Sequence, residues 1–154
     1  MRFRILIPFA LALAASPVQS RICPWTNADD AQVDRAVRAM YQALKTDDRT
    51  AFQRSVTPDF LAFELARRWS ADELFTTIFD AHRSGRVINW SIGPMVVRGD
   101  CNSAWAAWDN VGSAGIPPNI APRRWMESAV LRRSPTGWRV EFLHSTVIAP
   151  PPAR

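Results

Sequence analysis

The residue pattern predicts an α+β fold, with three helices near the front of the chain grouped against an antiparallel sheet built from the rest. Three observations carry this expectation. Apolar residues recur at helical spacing in segments before residue 84, each opened by capping residues. β-Branched and aromatic runs, broken by turn residues, dominate after residue 86. Finally, Ser134-Pro-Thr-Gly137 places turn residues between two such runs, as a hairpin requires.

Residues 1–20 read as a secretory signal: Arg2 and Arg4 form a basic start, an apolar run follows to Ala15, and a short polar end carries Val18 and Ser20 before the expected cut. Ala15 is the alternative cleavage point. The apolar run is too short to span a bilayer, which takes about 20 residues, so the expectation is a periplasmic or secreted chain with no membrane span once the signal is removed. What remains, residues 21–154, fits one domain with a core of its own.

The first helix is predicted over 27–44, with Thr26 or Asn27 as cap, Asp29 and Asp30 in the first turn, and Val33, Ala36, Val37, Met40, Tyr41 and Leu44 on one apolar face. Tyr41, the chain's single tyrosine, is then either a core aromatic whose hydroxyl finds a partner or a ligand-contacting group. A short second helix runs from Asp47-Asp48 to Val56, and Thr57-Pro-Asp59 turns the chain into a strand over 60–65. Glu64 falls in that strand, where a solvated face is the expectation and a pocket the alternative. Ser70 and Glu73 form a capping-box pattern that starts a third helix, ending near Gly85; His82, near its end, reads as a surface or capping residue. A strand over 86–97 is bent at Gly93-Pro94, a turn over 98–102 leads into a strand over 103–111 with Trp105 and Trp108, and 112–122 reads as a longer loop. The closing hairpin spans 125–148.

Simple pairing from the 134–137 turn sets Leu131 opposite Val140, Ala129 opposite Phe142, Glu127 opposite His144 and Trp125 opposite Thr146. All lie on one side, because strand side chains alternate. That side is the more apolar and is the expected core face. It brings an acid and an imidazole together at its far end, an arrangement that favours the charged imidazole and suits proton transfer. A bulge at the turn would shift one strand by a residue and separate them.

The formal charge of +5 falls to +3 once the signal is removed, and the basic residues, 18 arginines and Lys45, are scattered instead of lining one stripe. Nucleic-acid binding is therefore not expected. Two cysteines in an exported chain suggest one disulfide, Cys23 to Cys101; the alternative is two separate buried thiols. In the chain-entropy model a bridge closing this long a loop is worth about 4 to 5 kcal/mol at most. Two cysteines and two histidines at unrelated spacings make no metal site, and no cofactor motif is present.

Thr57-Pro-Asp-Phe60 after two helices, Trp125-x-Glu-Ser-Ala-Val130, Gly137-Trp-Arg-Val140 and Phe142-Leu-His-Ser-Thr146 resemble the SnoaL-like, exported branch of the nuclear transport factor 2-like superfamily, over residues 29–148. The resemblance implies a curved sheet wrapped around the helices into a cone, a pocket at its open end, and frequent dimerisation through the outer sheet face. Members include isomerases, cyclases, hydrolases and binding domains, so it implies a fold more than a reaction. Ketosteroid isomerases of this superfamily place a tyrosine on the first helix and a carboxylate base at the end of the first strand, to which Tyr41 and Glu64 correspond. No acid–proline pair stands at Glu64, and Asp109, the nearest candidate for a second acid, alternates to the face opposite Trp108 and Asn110.

Two functions follow. In the first, the chain is an exported binding domain for a small apolar molecule, with Tyr41, Glu64, Trp90, Trp108 and Asn110 around the ligand and Glu127 with His144 as a structural pair. In the second, it is an enzyme of the ketosteroid isomerase or SnoaL type in which His144 is the acid or base and Glu127 orients it. A homodimer through the outer sheet face accompanies either, and a partner protein seated on that face is a third possibility.

Overall fold

A computed structural model describes residues 24–149. The expected signal segment, Cys23 and the Pro150-Pro-Pro152 tail lie outside the described residues. The described chain runs α1 (Asn27–Lys45), α2 (Arg49–Ser55), β1 (Val56–Glu64), β2 (Arg67–Ser70), α3 (Ala71–Arg83), β3 (Val87–Gly99), β4 (Ser103–Ile116), β5 (Asn119–Ser134) and β6 (Gly137–Val147). Six strands form one curved sheet in the order β2-β1-β6-β5-β4-β3, and the three helices cover one of its faces.

Local sequence explains where the helices start. The Asp29 carboxylate accepts from the backbone N–H and hydroxyl of Thr26, closing the first turn of α1. Ser70 and Glu73 do the same for α3, and the Asp48 carboxylate accepts from the Ala51 N–H at the start of α2. Val33, Val37, Met40, Tyr41 and Leu44 of α1 are all buried against the sheet, as their spacing predicts. His82 reaches from the last turn of α3 to Asp47 in the α1–α2 connection, Nδ1 to Oδ1 at 2.7 Å, so it ties α3 to that connection.

The sheet departs from the sequence expectation in four places. β1 begins at Val56, so Thr57-Pro-Asp59 lies inside a strand, and it pairs with β6 in parallel; the sheet is antiparallel everywhere else. The short β2 hairpins back onto β1 through Leu65 and Ala66, both left-handed with φ of 51° and 57°. The expected loop over 112–122 is instead a continuation of β4 and β5, paired from Val111–Arg124 to Ile116–Asn119. Its glycines and prolines read as a loop, but β5 has no β6 neighbour beyond Trp125, and an open edge tolerates Pro122.

The fourth departure decides the site. Near its turn the closing hairpin pairs as expected, Ser134 with Gly137 through Leu131 with Val140. A bulge at Glu141 then shifts β6 by one residue, so Val130 pairs with Phe142, Ala129 with Leu143, Ser128 with His144 and Glu127 with Ser145. The expected Glu127–His144 pair therefore does not form. Unshifted pairing would have pointed Phe142 and His144 into the core and Leu143 and Ser145 outward. The bulge buries Leu143 and Ser145 and leaves His144 exposed on the outer face. Phe142 stays on that face against Phe63, ring centroids 5.2 Å apart, while the Glu141 carboxylate at the bulge holds Arg132. The bend expected at Gly93-Pro94 is present as a register shift between Ile92 and Met95, where a Cβ on Gly93 would stand 2.8 Å from the Asp109 carbonyl oxygen.

Candidate functional site

Alternation along β5 sends Trp125, Glu127, Ala129 and Leu131 into the core. An acid in that row is costly unless its oxygens are satisfied, and Glu127, 5% exposed, receives four donors. Its Oε1 accepts from the Tyr41 hydroxyl of α1 at 2.8 Å and the Ser145 hydroxyl of β6 at 3.0 Å. Its Oε2 accepts from the Trp108 indole N–H at 2.7 Å and the Asn110 side-chain amide at 2.9 Å, both from β4. Two donors on each oxygen is the complement an ionised carboxylate can take. The Asn110 carbonyl in turn accepts from the Ser91 N–H at 3.0 Å, which extends the network to β3 just before its bulge. Burial first, and then the neighbouring Glu127 charge, push the Tyr41 phenol well above its usual range, so it stays a donor.

Glu64 is the second acid on this face, at the end of β1. Arg67, its partner in register, stacks over the Trp69 ring at 4.1 Å, and no ion pair reaches the Glu64 carboxyl among the described residues. Burial, and then repulsion from Glu127, raise its pKa from 4.5 to about 7. Both of its protonation states are therefore present near neutrality, which is what an acid or base in a proton transfer requires.

Glu64 lines a cavity of about 330 Å³ between α3 and the inner face of the sheet. Its walls are apolar, with Trp69, Leu74, Ile78, Trp90 and Trp125 prominent. Mostly apolar walls with few polar groups are how a small-molecule site is built.

The structure divides the residues that the sequence singled out. Glu64 and Trp90 line the cavity. Tyr41, Trp108, Asn110 and Glu127 come together as one network beside it, with Tyr41 bridging the two through edge-on contacts to Trp90 (5.6 Å) and Trp108 (6.2 Å). His144 joins neither group; it lines a separate, more polar hollow with Phe63, Arg67, Arg68 and Thr146, which Glu64 also borders. Sequence reasoning missed Ser145 as a donor to Glu127, because only the shifted register faces it inward. It also missed the cavity roles of Trp69 and Trp125.

No family model and no curated relative matches the sequence. Solved structures do resemble the fold. A ketosteroid isomerase-like protein from Erwinia carotovora atroseptica superposes with a TM-score of 0.67 at 20% identity, covering 81% of this chain and 100% of that one. A nuclear transport factor 2-like protein with a cystatin-like fold from Novosphingobium aromaticivorans gives 0.68 at 16%, covering 79% and 83%. The association domain of CaMKII from C. elegans gives 0.66 at 16%, covering 78% and 96%. At these identities the likeness is one of fold.

Proposed function

We propose that this chain, which has the nuclear transport factor 2-like fold, is an exported domain that binds a small apolar molecule in the cavity under α3, with Glu64 as the proton-exchanging group of the site. The observation that carries this reading is an acid with its pKa raised to about 7, without a charge partner among the described residues, in the wall of a cavity with three tryptophans. The Tyr41 O–H is committed as a hydrogen-bond donor to Glu127, so it is not free to donate to the ligand. The enzyme form of the reading therefore rests on Glu64 alone, taking or giving a proton to a bound substrate.

Titration with the uncharged fluorescent probe phenylnaphthylamine tests this. Saturable binding at one site per chain, with an affinity that changes as pH crosses 7 and loses that dependence in Glu64→Gln, is the expected outcome. No saturable binding would remove the cavity as a site, and pH dependence unaltered in Glu64→Gln would remove the carboxyl from it.

The exported location is part of the proposal and rests on the pattern of residues 1–20. A Cys23–Cys101 bridge belongs with it, supported by Trp25. That ring lies against Gly99, where a Cβ would come within 2.6 Å of it, and so carries the chain two residues from Cys23 close to Cys101 in the β3–β4 turn. Mass spectrometry of the exported chain with and without reductant checks cut and bridge together. The outer face exposes Met126, Val96 and Trp105, at 61%, 52% and 47%, and we assign it to a homodimer contact. A monomeric wild-type chain in sedimentation would end that assignment.

A further inference from the structure

We infer that the ligand of the cavity under α3 is an apolar molecule bearing a single carboxylate, with Arg86 and Arg123 holding that carboxylate at the cavity mouth. The inference rests on the binding reading above and names the chemistry of what is bound.

The cavity carries three charged side chains, Glu64, Arg86 and Arg123. Along β5 the inward positions run Glu127, Trp125, Arg123, from a buried carboxylate through an aromatic wall to an exposed cation, over roughly 13 Å at the ~3.3 Å rise of a strand. Arg86 arrives from the other side. Gly85, with φ of 82°, reverses the chain after α3, and the Arg86 N–H donates to the Ala81 carbonyl at 3.0 Å, which fixes the backbone just before β3.

Seven other arginines of the described chain show what can otherwise use such a charge. Arg38, Arg49, Arg132 and Arg133 each hold a carboxylate, and Arg67, Arg68 and Arg83 lie over aromatic rings. Neither Arg86 nor Arg123 has an acidic or aromatic partner among the described residues, and Arg123 makes only a 3.4 Å contact to the Pro122 carbonyl. Arg35, Arg54, Arg98, Arg124 and Arg139 also lack an acidic or aromatic partner there, but none of them lines the cavity. Two exposed guanidinium groups in the wall of one apolar cavity, neither ion-paired among the described residues, are matched by a ligand carboxylate, which a guanidinium binds through paired, charge-assisted hydrogen bonds. A cationic ligand would face both arginines on entry, and an uncharged one would leave them without a use.

Three probes of equal chain length decide it: decanoate, decanol and decylamine, each titrated into the whole protein by its tryptophan fluorescence, since Trp69, Trp90 and Trp125 line the cavity. Decanoate is expected to bind about tenfold or more tighter than decanol. In the Arg86→Ala/Arg123→Ala double variant that preference should vanish, the decanoate affinity falling to that of decanol. Both arginines are exposed, so the core of the variant is intact. Equal binding of decanoate and decanol, tighter binding of decylamine, or a preference that survives in the double variant would overturn the inference and leave the apolar-cavity reading standing. If none of the three binds, that reading fails and takes this inference with it.

Discussion

Glu127 and Glu64 both lie on the helix-covered face of the sheet, yet one has four hydrogen-bond donors and the other has none among the described residues. The first is therefore a structural centre that joins α1, β4 and β6 through a single carboxylate. The second is an acid whose burial is uncompensated and shows as a pKa of about 7. The contrast teaches that burial alone does not assign an acid its role. Donor supply does, since a fully satisfied carboxylate has nothing left to offer a ligand, while an unsatisfied one beside a cavity does.

The harshest way to break the comparison is to remove the satisfied acid. Glu127→Ala strands the Tyr41 hydroxyl, the Trp108 indole, the Asn110 amide and the Ser145 hydroxyl in the core. It should lower stability by about 3 to 5 kcal/mol in denaturant unfolding. Tyr41→Phe removes one of the four donors and keeps the ring, and should cost about 1 to 2 kcal/mol in the same measurement. A near-neutral Glu127→Ala would mean that the network contributes little.

Glu64 should behave in the opposite sense. Its folded pKa, about 7, stands above the ordinary 4.5, so between those values the folded chain holds a proton that the unfolded chain has released. Stability should therefore fall as pH rises through that window, because ionisation is easier once the chain unfolds. Glu64→Gln removes that slope. Near pH 8 the variant should be more stable than the parent, by on the order of 2 kcal/mol, and near pH 4 the two should coincide. Melting temperatures across that range check the sign.

The smallest effect belongs to His144. The β6 bulge leaves it on the outer face with a 3.3 Å contact to the Thr146 hydroxyl. His144→Ala should change stability by less than about 0.5 kcal/mol. A loss of several kcal/mol would put the imidazole back beside Glu127 and contradict the shifted register.

Much of the architecture was legible in the chain itself. The helix starts were readable because a cap and its box residue lie three positions apart, as Ser70 and Glu73 do, and that interaction needs nothing distant. The inward row of β5 was readable because alternation is a property of a single strand. Glu127 was found the same way, whereas Glu64 was singled out by resemblance, since its own strand pattern favoured a solvated face. The β1–β6 pairing was not readable, since parallel strands are joined only in three dimensions. The strand character of 112–122 was not readable either, because its glycines and prolines favour turns locally, and only pairing between β4 and β5 overrides that preference.

The partner of Glu127 shows where that boundary falls. By itself the sequence determined the three helices, the closing hairpin and which face of β5 carries Trp125 and Glu127, because helix caps, turn residues and alternation act over a few positions. The tertiary structure decided that Ser145 and not His144 turns inward at Glu127, that Tyr41 comes from another element to complete its donors, and that Glu64 is left without any. A single bulged residue at Glu141 costs little locally, and whether it forms depends on which side chains the whole core can bury and satisfy.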